Sequence, residues 1–317
     1  MTTALTHSAL AEEEDPVPLV ANIELTNRCN LRCRICANRT MKRPRRDMNL
    51  QLYRVLLGKL EQAGVRQVIL NTIGETLLYP WLDEALAMAK GHGFYVLVST
   101  NGQLLDESAA RMLFARNCDL LRISIEGADA RRYEAIRSGG SFATLIANVG
   151  RLKPLRAECS ASTAIRIRST ISTRSTPQER CRFLEYWAPY VDLVEFITFG
   201  NMGGQVGGPD LRADRRRPCA TMWRGINVLY DGRVSRCPCD FDARFVVGSL
   251  VEATLDELWF GEAYREARLL HKALDFRSMP SCEICSATHR SWYESRVPAL
   301  TKEEEAIMGL YQTDAWQ

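Results

Sequence analysis

The sequence predicts an α/β protein in which a partial (β/α)6 barrel of the TIM type over residues 18–200 precedes a small cysteine-rich domain. Three observations predict this fold. Apolar β-type runs alternate with helical stretches through six units, a glycine-rich segment ends the alternation, and paired cysteines follow that segment. Alternating strands and helices imply a parallel sheet with right-handed crossovers. Six units are too few to close an eight-fold barrel, so we expect a partial barrel or an open doubly wound sheet, and either gathers ligands at the carboxyl ends of its strands.

The individual elements follow from apolar runs and from helical periodicity. Strands are predicted over residues 19–25, 67–71, 94–100, 120–125, 163–171 and 193–199. Helices are predicted between them over residues 50–63, 81–91, 106–116, 142–155 and 177–188. This order is the basis of the barrel prediction.

The chain changes character after the sixth strand. Residues 201–218 are rich first in glycine and then in arginine, and we interpret them as a linker. In the second domain, residues 219–290, a β-hairpin over 225–236 turns at Asp231-Gly232 and an amphipathic helix over 255–274 follows. The ends of the chain, residues 1–17 and 291–317, are predicted to be a flexible N-terminal tail and a C-terminal tail.

Composition excludes several classes of protein. The 317 residues are 46% hydrophobic, and no apolar run approaches the roughly 18 residues of a membrane span, so we expect no membrane partner. The net charge of +3 is small and mixed in sign along the chain, so we expect no nucleic-acid partner. The first 17 residues lack the basic start and apolar core of an export signal, which predicts a cytoplasmic location.

The 11 cysteines are many for a cytoplasmic chain, in which clustered thiolates usually hold metal or carry out redox chemistry. Cys118, Cys159 and Cys181 are isolated, and we expect them to be small buried hydrophobic residues. The remaining cysteines apart from Cys239 are grouped near the start and in the last third of the chain: Cys29, Cys33, Cys36, Cys219, Cys237, Cys282 and Cys285.

The first cysteine group, Cys29-Asn-Leu-Arg-Cys33-Arg-Ile-Cys36, directly follows the first predicted strand. A cubane iron–sulfur cluster normally has four protein ligands, so three thiolates leave one iron open. An open iron can chelate a small molecule with adjacent amino and carboxylate groups. Structural zinc is the alternative, although zinc sites require a fourth ligand and usually pairs of Cys-x-x-Cys.

These residues carry a family resemblance. The spacing Cys-x-x-x-Cys-x-x-Cys at the end of strand one, preceded by Glu24-Leu-Thr-Asn-Arg28, resembles the radical S-adenosylmethionine (SAM) superfamily. The resemblance implies that Cys29, Cys33 and Cys36 bind a [4Fe–4S] cluster that also binds SAM. It further implies cleavage of SAM to a 5′-deoxyadenosyl radical, with an external electron donor such as flavodoxin or ferredoxin.

Later residues match further positions of the superfamily. Gly74-Glu75 resembles its Gly-Gly-Glu motif, which binds the methionine amino group, although Ile73 replaces the first glycine. Ser99 and Ser124 begin segments that match the ends of strands three and four. In relatives, a pair such as Ser124 and Arg137 holds the methionine carboxylate, as arginine geometry favours.

Two positions fit the pattern less closely. Relatives often carry an aromatic residue beside the adenine where Ile35 stands here. Arg168, which alternates with Arg166 on one face of the fifth strand, is predicted to contact SAM, with an ion-pair or surface role as the alternative.

The second cysteine group consists of Cys219, Cys237, Cys282 and Cys285, which the hairpin and the helix bring together. Four thiolates complete a closed site, either a structural zinc ribbon or a fully ligated [4Fe–4S] cluster. The stretch resembles the shortened "twitch" form of the SPASM auxiliary-cluster domain. The resemblance implies one auxiliary cluster, and therefore two [4Fe–4S] clusters per chain.

The two resemblances imply a radical SAM oxidoreductase acting on a small polar molecule. An auxiliary cluster beside the substrate can accept the electron that remains after hydrogen abstraction, which gives a net two-electron oxidation. The single-cluster twitch pattern resembles the aminocyclitol dehydrogenases of aminoglycoside antibiotic biosynthesis. The function predicted is therefore oxidation of an alcohol to a ketone on an aminocyclitol or sugar.

Three alternatives remain. Cys239 is a candidate catalytic residue, the hydrogen donor of a radical epimerase, because it lies two residues beyond Cys237. Many SPASM enzymes modify peptides, although the first 17 residues are too short for a peptide-recognition domain. A cluster or zinc protein without catalysis would require Gly74-Glu75, Ser124 and Arg137 to match by accident.

Overall fold

A computed structural model describes residues 17–171, 176–207 and 215–289. Their strands form one nine-stranded sheet in the order β6-β5-β4-β3-β2-β1-β7-β8-β9. The first seven strands pair in parallel, and β8 and β9 are antiparallel to their neighbours. Strands β1 to β6 lie in chain order without the reversal of a doubly wound sheet, and β6 and β9 each have one unpaired edge within the described residues. The predicted partial barrel is therefore confirmed.

The first part of the chain alternates strands and helices as predicted. Its elements are β1 (Val20–Ile23), α1 (Leu50–Gln62), β2 (Gln67–Ile69), α2 (Leu82–Gly91), β3 (Tyr95–Thr100), α3 (Glu107–Ala115), β4 (Leu120–Ser124), α4 (Ala130–Ile136), α5 (Phe142–Gly150), α6 (Leu152–Glu158), β5 (Ala164–Ile171), α7 (Pro177–Trp187) and β6 (Leu193–Thr198). No helix was predicted at α4. The helix predicted over residues 142–155 is divided at Arg151 into α5 and α6.

The second part extends the same sheet. Its elements are α8 (Thr221–Arg224), β7 (Gly225–Val228), β8 (Arg233–Ser235), β9 (Val246–Ser249), α9 (Leu255–Trp259), α10 (Glu262–Ala273) and α11 (Pro280–Glu283). The hairpin is confirmed, with Gly232 at a φ of +84° in its turn. The single helix predicted over 255–274 is wrong, because the chain breaks between α9 and α10 at Gly261. A Cβ there would lie 2.5 Å from the carbonyl oxygen of Glu257.

Side chains from the helices and from the inner strands form the main hydrophobic core. Its largest fully buried members come from both parts of the chain and include Tyr53, Trp187 and Trp259. Cys118 and Cys181 are buried as predicted, and Cys159 is half-buried. Among the described residues, no helix combines the length and the apolar character required to cross a membrane. The predicted tails lie outside the described residues, except for Val17.

Side-chain caps fix where several helices begin. Asp106 accepts a hydrogen bond from the backbone of Ala109 at the start of α3. Thr176 and Thr254 form capping boxes with Glu179 and Glu257 at the starts of α7 and α9. These caps satisfy backbone donors that a helix leaves unpaired.

Candidate active site and cluster site

The first cysteine group lies in the loop after β1, at the carboxyl end of the sheet. The backbone of Arg32 donates a hydrogen bond to Ser138 O (2.9 Å) and that of Arg34 to Ile136 O (2.9 Å), which ties the loop to the end of α4. Cys33 lies between these two arginines and is 6% exposed. The loop therefore has a fixed backbone with a thiol directed inwards.

Backbone amides support the other two sulfurs. Leu31 N lies 3.5 Å from Cys29 Sγ, and Asn38 N lies 3.4 Å from Cys36 Sγ. Amides so placed stabilise a thiolate or a cluster sulfur. Burial raises the pKa of Cys29 to about 11, so the free thiol is protonated at neutral pH and cluster binding releases its proton.

Gly74 brings the turn after β2 against this loop. A Cβ at Gly74 would lie 2.1 Å from Thr26 O, so no other residue fits there without moving the backbone. The next amide, Glu75 N, donates a hydrogen bond to Arg28 O (2.8 Å). The contact explains the glycine of the Gly74-Glu75 pair in structural terms.

The Glu75 carboxylate is buried beneath the loop at 2% exposure. It accepts hydrogen bonds from Thr100 Oγ1 (2.7 Å), Asn101 N (2.7 Å) and Leu77 N (3.2 Å). Burial raises the pKa of Glu75, although these hydrogen bonds oppose the shift. With three acceptor positions used of about four, the carboxylate retains room for one more donor, such as an amino group.

The register of β3, β4 and β5 places the remaining predicted SAM residues of these strands side by side. Ser99 on β3 is in register with Arg122 on β4, and Ser124 on β4 is in register with Arg168 on β5. Alternate residues face the same side of a sheet, so these side chains share one face. All nine predicted SAM-site and first-cluster residues line a single cavity: Cys29, Cys33, Cys36, Gly74, Glu75, Ser99, Ser124, Arg137 and Arg168.

Arg137 is held by a carboxylate that the sequence analysis did not single out. Its guanidinium forms a two-point ion pair with Glu126, and its Nη1 lies 3.7 Å from Cys33 Sγ. Glu126 lies in the segment that Ser124 begins, Ser124-Ile-Glu126-Gly127. Its place beside a matched residue was the one feature of the sequence that could have predicted a role for it.

Arg122 and Arg168 differ in their partners. Arg168 pairs with Glu195 at 3.0 Å, as the ion-pair alternative expected. Arg122 donates through Nε to Ser99 Oγ (2.6 Å), and no described carboxylate forms an ion pair with it. Burial and the nearby Arg168 lower the pKa of Arg122 to about 9. Its two-residue spacing from Ser124 could have predicted that it faces the same cavity.

The second cysteine group lines a separate cavity with Cys239, His271, Arg236 and neighbouring residues. All four predicted ligands are present in its wall: Cys219, Cys237, Cys282 and Cys285. Within the described ranges, no three His, Cys, Asp or Glu side chains stand close enough to share one metal ion. Four thiols around one cavity are a complete ligand set for a [4Fe–4S] cluster, as they also are for zinc. Burial raises the pKa of Cys282 and of Cys285 to about 12.

His271 supplies a second test of that fit. Its Nδ1 accepts a hydrogen bond from Cys219 N (3.1 Å), so in the neutral ring the proton lies on Nε2. The side chain is 0% exposed, and Nε2 has no partner among the described residues. An unpaired buried donor is costly unless an acceptor is supplied, and a cluster sulfur in this cavity is such an acceptor. As a lone histidine, His271 carried no sequence signal.

Cys239 lies in the wall of this second cavity, where its backbone amide donates to Cys237 Sγ (3.3 Å). The described lining of the first cavity includes Phe241 but not Cys239. The epimerase alternative requires the thiol to face a substrate in the first cavity, and this placement does not support it.

The two cavities share a wall. Met202 and Phe241 line the first cavity, and the adjacent residues Gly203 and Asp240 line the second. On the first side, the wall joins a small apolar cluster that also contains Ile73. Two short backbone segments therefore separate the sites.

Comparisons with known proteins agree with this arrangement. A family model described as "Radical SAM superfamily" matches residues 23–166, and the SPASM model, "Iron-sulfur cluster-binding domain", matches residues 219–286. The PqqA peptide cyclase of Gluconobacter oxydans is 25% identical over 327 aligned positions, covering 90% of this chain and 87% of that protein. The mycofactocin maturase MftC of Mycobacterium ulcerans is 32% identical over 129 positions, 41% of this chain and 35% of that protein.

Solved structures share the fold. BtrN in complex with AdoMet and 2-DOIA has a TM-score of 0.60 at 17% identity, covering 86% of this chain and 94% of that chain. Streptococcus suis SuiB bound to S-adenosylmethionine has a TM-score of 0.67 at 14% identity, covering 84% and 72%. The two domain matches imply SAM and [4Fe–4S] clusters as cofactors. The chain therefore contains a radical SAM domain followed by a SPASM iron–sulfur cluster-binding domain.

Proposed function

We propose that this radical SAM enzyme is an oxidoreductase that carries out a two-electron oxidation, alcohol to ketone, on a small polar molecule such as an aminocyclitol or sugar. The shared wall between the cavities is the observation that supports it most. An oxidation of this kind removes one hydrogen atom and then one electron from the same substrate, and the hydroxyl proton passes to solvent. A site for each step, separated by Met202-Gly203 and Asp240-Phe241, meets that requirement.

The proposal assigns the cofactors to the two cavities. Cys29, Cys33 and Cys36 would hold the SAM-binding cluster, and Cys219, Cys237, Cys282 and Cys285 the auxiliary cluster. When bound, these groups supply radical hydrogen abstraction in the first cavity and an electron acceptor in the second. An external donor such as flavodoxin or ferredoxin would provide the electron for SAM cleavage.

The chain's own residues would position SAM and shield the reaction. Glu75 has an acceptor position free for the amino group, and Ser124 and Arg137 line the same cavity for the carboxylate. Met202 and Phe241 present apolar surface to the cavity, which keeps water away from reactive intermediates.

The likeness to BtrN supports a small-molecule substrate, since that chain is matched over 94% of its length and was solved with AdoMet and 2-DOIA. The test is anaerobic incubation of the reconstituted protein with SAM, dithionite and candidate aminocyclitols and sugars, followed by mass spectrometry. A product lighter by about two mass units supports dehydrogenation. A product of unchanged mass in H2O that gains one deuterium in D2O would instead indicate epimerisation and contradict the proposal.

Peptide modification is the second candidate, because the PqqA peptide cyclase is similar over 87% of its own length. SuiB, solved bound to its precursor peptide SuiA, shares the fold over 79% of this chain. The same assay with short peptides separates the two candidates. A cross-linked or oxidised peptide, together with unreacted cyclitols and sugars, would favour this second reading.

A further inference from the structure

The outer surface of the first cysteine loop carries three arginines that the proposed chemistry does not use. Along the loop, exposure alternates: Leu31 and Cys33 are buried, whereas Arg32 and Arg34 are exposed. Arg39, the last residue of the short helical turn Ala37–Arg39, is also exposed. The three arginines line one surface depression with Thr40 and Ser138. The loop thus directs its thiols inwards and its guanidinium groups outwards.

These arginines have no anionic partner among the described residues. Some exposed arginines elsewhere on the described surface are paired, as Arg116 is with Asp83 and Arg132 with Glu179. No ion pair or side-chain hydrogen bond from the described residues neutralises Arg32, Arg34 or Arg39, so these side chains bring a charge of about +3 to the depression. Three like charges close together repel one another, and this cost is relieved when an anionic surface covers them.

The backbone beneath the depression is rigid. Hydrogen bonds of 2.9 Å from Arg32 N to Ser138 O and from Arg34 N to Ile136 O hold it against the end of α4. A protein seated on Arg32 and Arg34 is therefore separated from the sulfur of Cys33 by little more than the thickness of the loop. This depression is on the outer side of the loop, whereas the SAM residues line the cavity on its inner side.

We propose that Arg32, Arg34 and Arg39 form the docking surface for an acidic one-electron donor protein of the flavodoxin or ferredoxin class, which reduces the cluster held by Cys29, Cys33 and Cys36. The inference rests on the proposed function, because only a cluster that requires an external electron needs such a surface. The step transfers one electron from the reduced donor to the oxidised cluster, and no bond forms or breaks between the proteins. Charge attraction steers the donor to the loop and sets its orientation.

The test compares a protein donor with a small chemical one on the reconstituted full chain. The double variant Arg32→Glu/Arg34→Glu is mixed with chemically reduced flavodoxin or with dithionite, and reduction of the SAM-binding cluster is followed by rapid-freeze electron paramagnetic resonance. We expect reduction by flavodoxin to slow at least about tenfold at low salt, because the charge reversal repels the donor. Reduction by dithionite remains at the wild-type rate, since that small reductant needs no docking surface.

The matched control is Arg66→Glu/Arg224→Glu, which makes the same change in charge at two exposed arginines directly before β2 and β7, at the opposite end of the sheet. Its reduction by flavodoxin remains at the wild-type rate. Raising the salt from about 50 mM to about 500 mM slows reduction of the wild type by flavodoxin and narrows its difference from the double variant, because salt screens both the attraction and the repulsion.

Two results would overturn the proposal. One is an unchanged rate with flavodoxin in the double variant, and the other is an equal loss with both reductants, which would make the arginines structural. The readout is cluster reduction and not product formation, so it remains decisive if no substrate is found. Failure of the proposed function has a different signature: the cluster is reduced, but no oxidised substrate is formed.

Discussion

At the residue scale, the position of Arg137 in the first cavity depends on its ion pair with Glu126. Arg137 matches a superfamily position, but Glu126 holds its guanidinium, and the pair is largely buried, with side-chain exposures of 12% and 3%. A buried charge that loses its partner is left without compensation in a medium that solvates it poorly. Glu126 is therefore a positioning residue for Arg137.

Replacing Glu126 tests this role. We expect Glu126→Ala to lower the free energy of unfolding by about 3 kcal/mol, because it leaves the Arg137 charge unpaired in a buried site. Asp83→Ala, which breaks the exposed pair with Arg116, costs less than about 1 kcal/mol. Urea unfolding of both variants measures the difference. Equal losses of stability would mean that burial of the Glu126 pair has no energetic consequence.

The unpaired Nε2 of His271 leads to a second prediction. A donor to a cluster sulfur stabilises the more negative, reduced state, so we expect His271→Phe to lower the midpoint potential of the auxiliary cluster by on the order of 50 mV. Phe276→Leu alters the ring packed against His271, with centroids 4.9 Å apart, but retains the donor. The midpoint potential of the auxiliary cluster in both variants is measured by a redox titration followed by electron paramagnetic resonance. A potential unchanged in His271→Phe would exclude the hydrogen bond.

Which residues could be predicted depended on whether they carry a local pattern. The first three cysteines, Gly74-Glu75 and Ser124 have fixed spacings at strand ends, and the structure brings them to one cavity. Arg122 and His271 reach their cavities through strand register and helix packing, which a single sequence does not record. Glu126 lies inside a matched segment, but its role became evident only from its ion pair with Arg137 in the structure.

At the element scale, short contacts between turns set the shape of the first cavity. The turn after β2 touches the cysteine loop at Gly74, where Thr26 O occupies the space of a side chain. Apolar runs predicted the six barrel strands because each is buried. The short helix α4 and strand β9 lack such a run, and the break at Gly261 interrupts a helical periodicity that continues on both sides of it.

Adding one methyl group at Gly74 tests the element contact. We expect Gly74→Ala to displace the turn from the cysteine loop, and therefore to lower iron content at that site and to abolish SAM cleavage. Gly58→Ala is the control, because Gly58 lies inside α1 with no atom within 4 Å of an added Cβ. That change raises stability by up to about 1 kcal/mol through helix propensity and leaves cleavage intact. Full SAM cleavage by Gly74→Ala would contradict the account of the turn.

At the scale of the whole molecule, the two parts of the chain share one sheet and one core. Strand β7 pairs in parallel with β1, and Lys59 on α1 donates to Leu250 O at 2.6 Å and to Ala253 O at 3.0 Å. The sequence predicted a hairpin in the second part but not this pairing, because it joins residues about 200 positions apart. Long-range pairing of this kind has no local signal.

Removing the second part should therefore destabilise the first. We expect a chain ending at residue 207 to aggregate or remain partly unfolded, because β1 becomes an exposed apolar edge and the shared core loses Val228 and Trp259. Size-exclusion chromatography and circular dichroism, with the full chain as reference, provide the measurement. A soluble monomer with cooperative unfolding would mean that the barrel half is independent.

The central claim is that the loop after β1 holds the cluster that cleaves SAM, while the second cavity holds a separate cluster. The most direct measurement is 5′-deoxyadenosine formation from SAM with dithionite, made on the wild type and on the triple variant Cys29→Ala/Cys33→Ala/Cys36→Ala, with iron counted in both. The wild type should contain about eight iron atoms and form 5′-deoxyadenosine, and the triple variant should retain about four iron atoms, remain folded and form none. Formation of 5′-deoxyadenosine by the triple variant would contradict the assignment of the radical site.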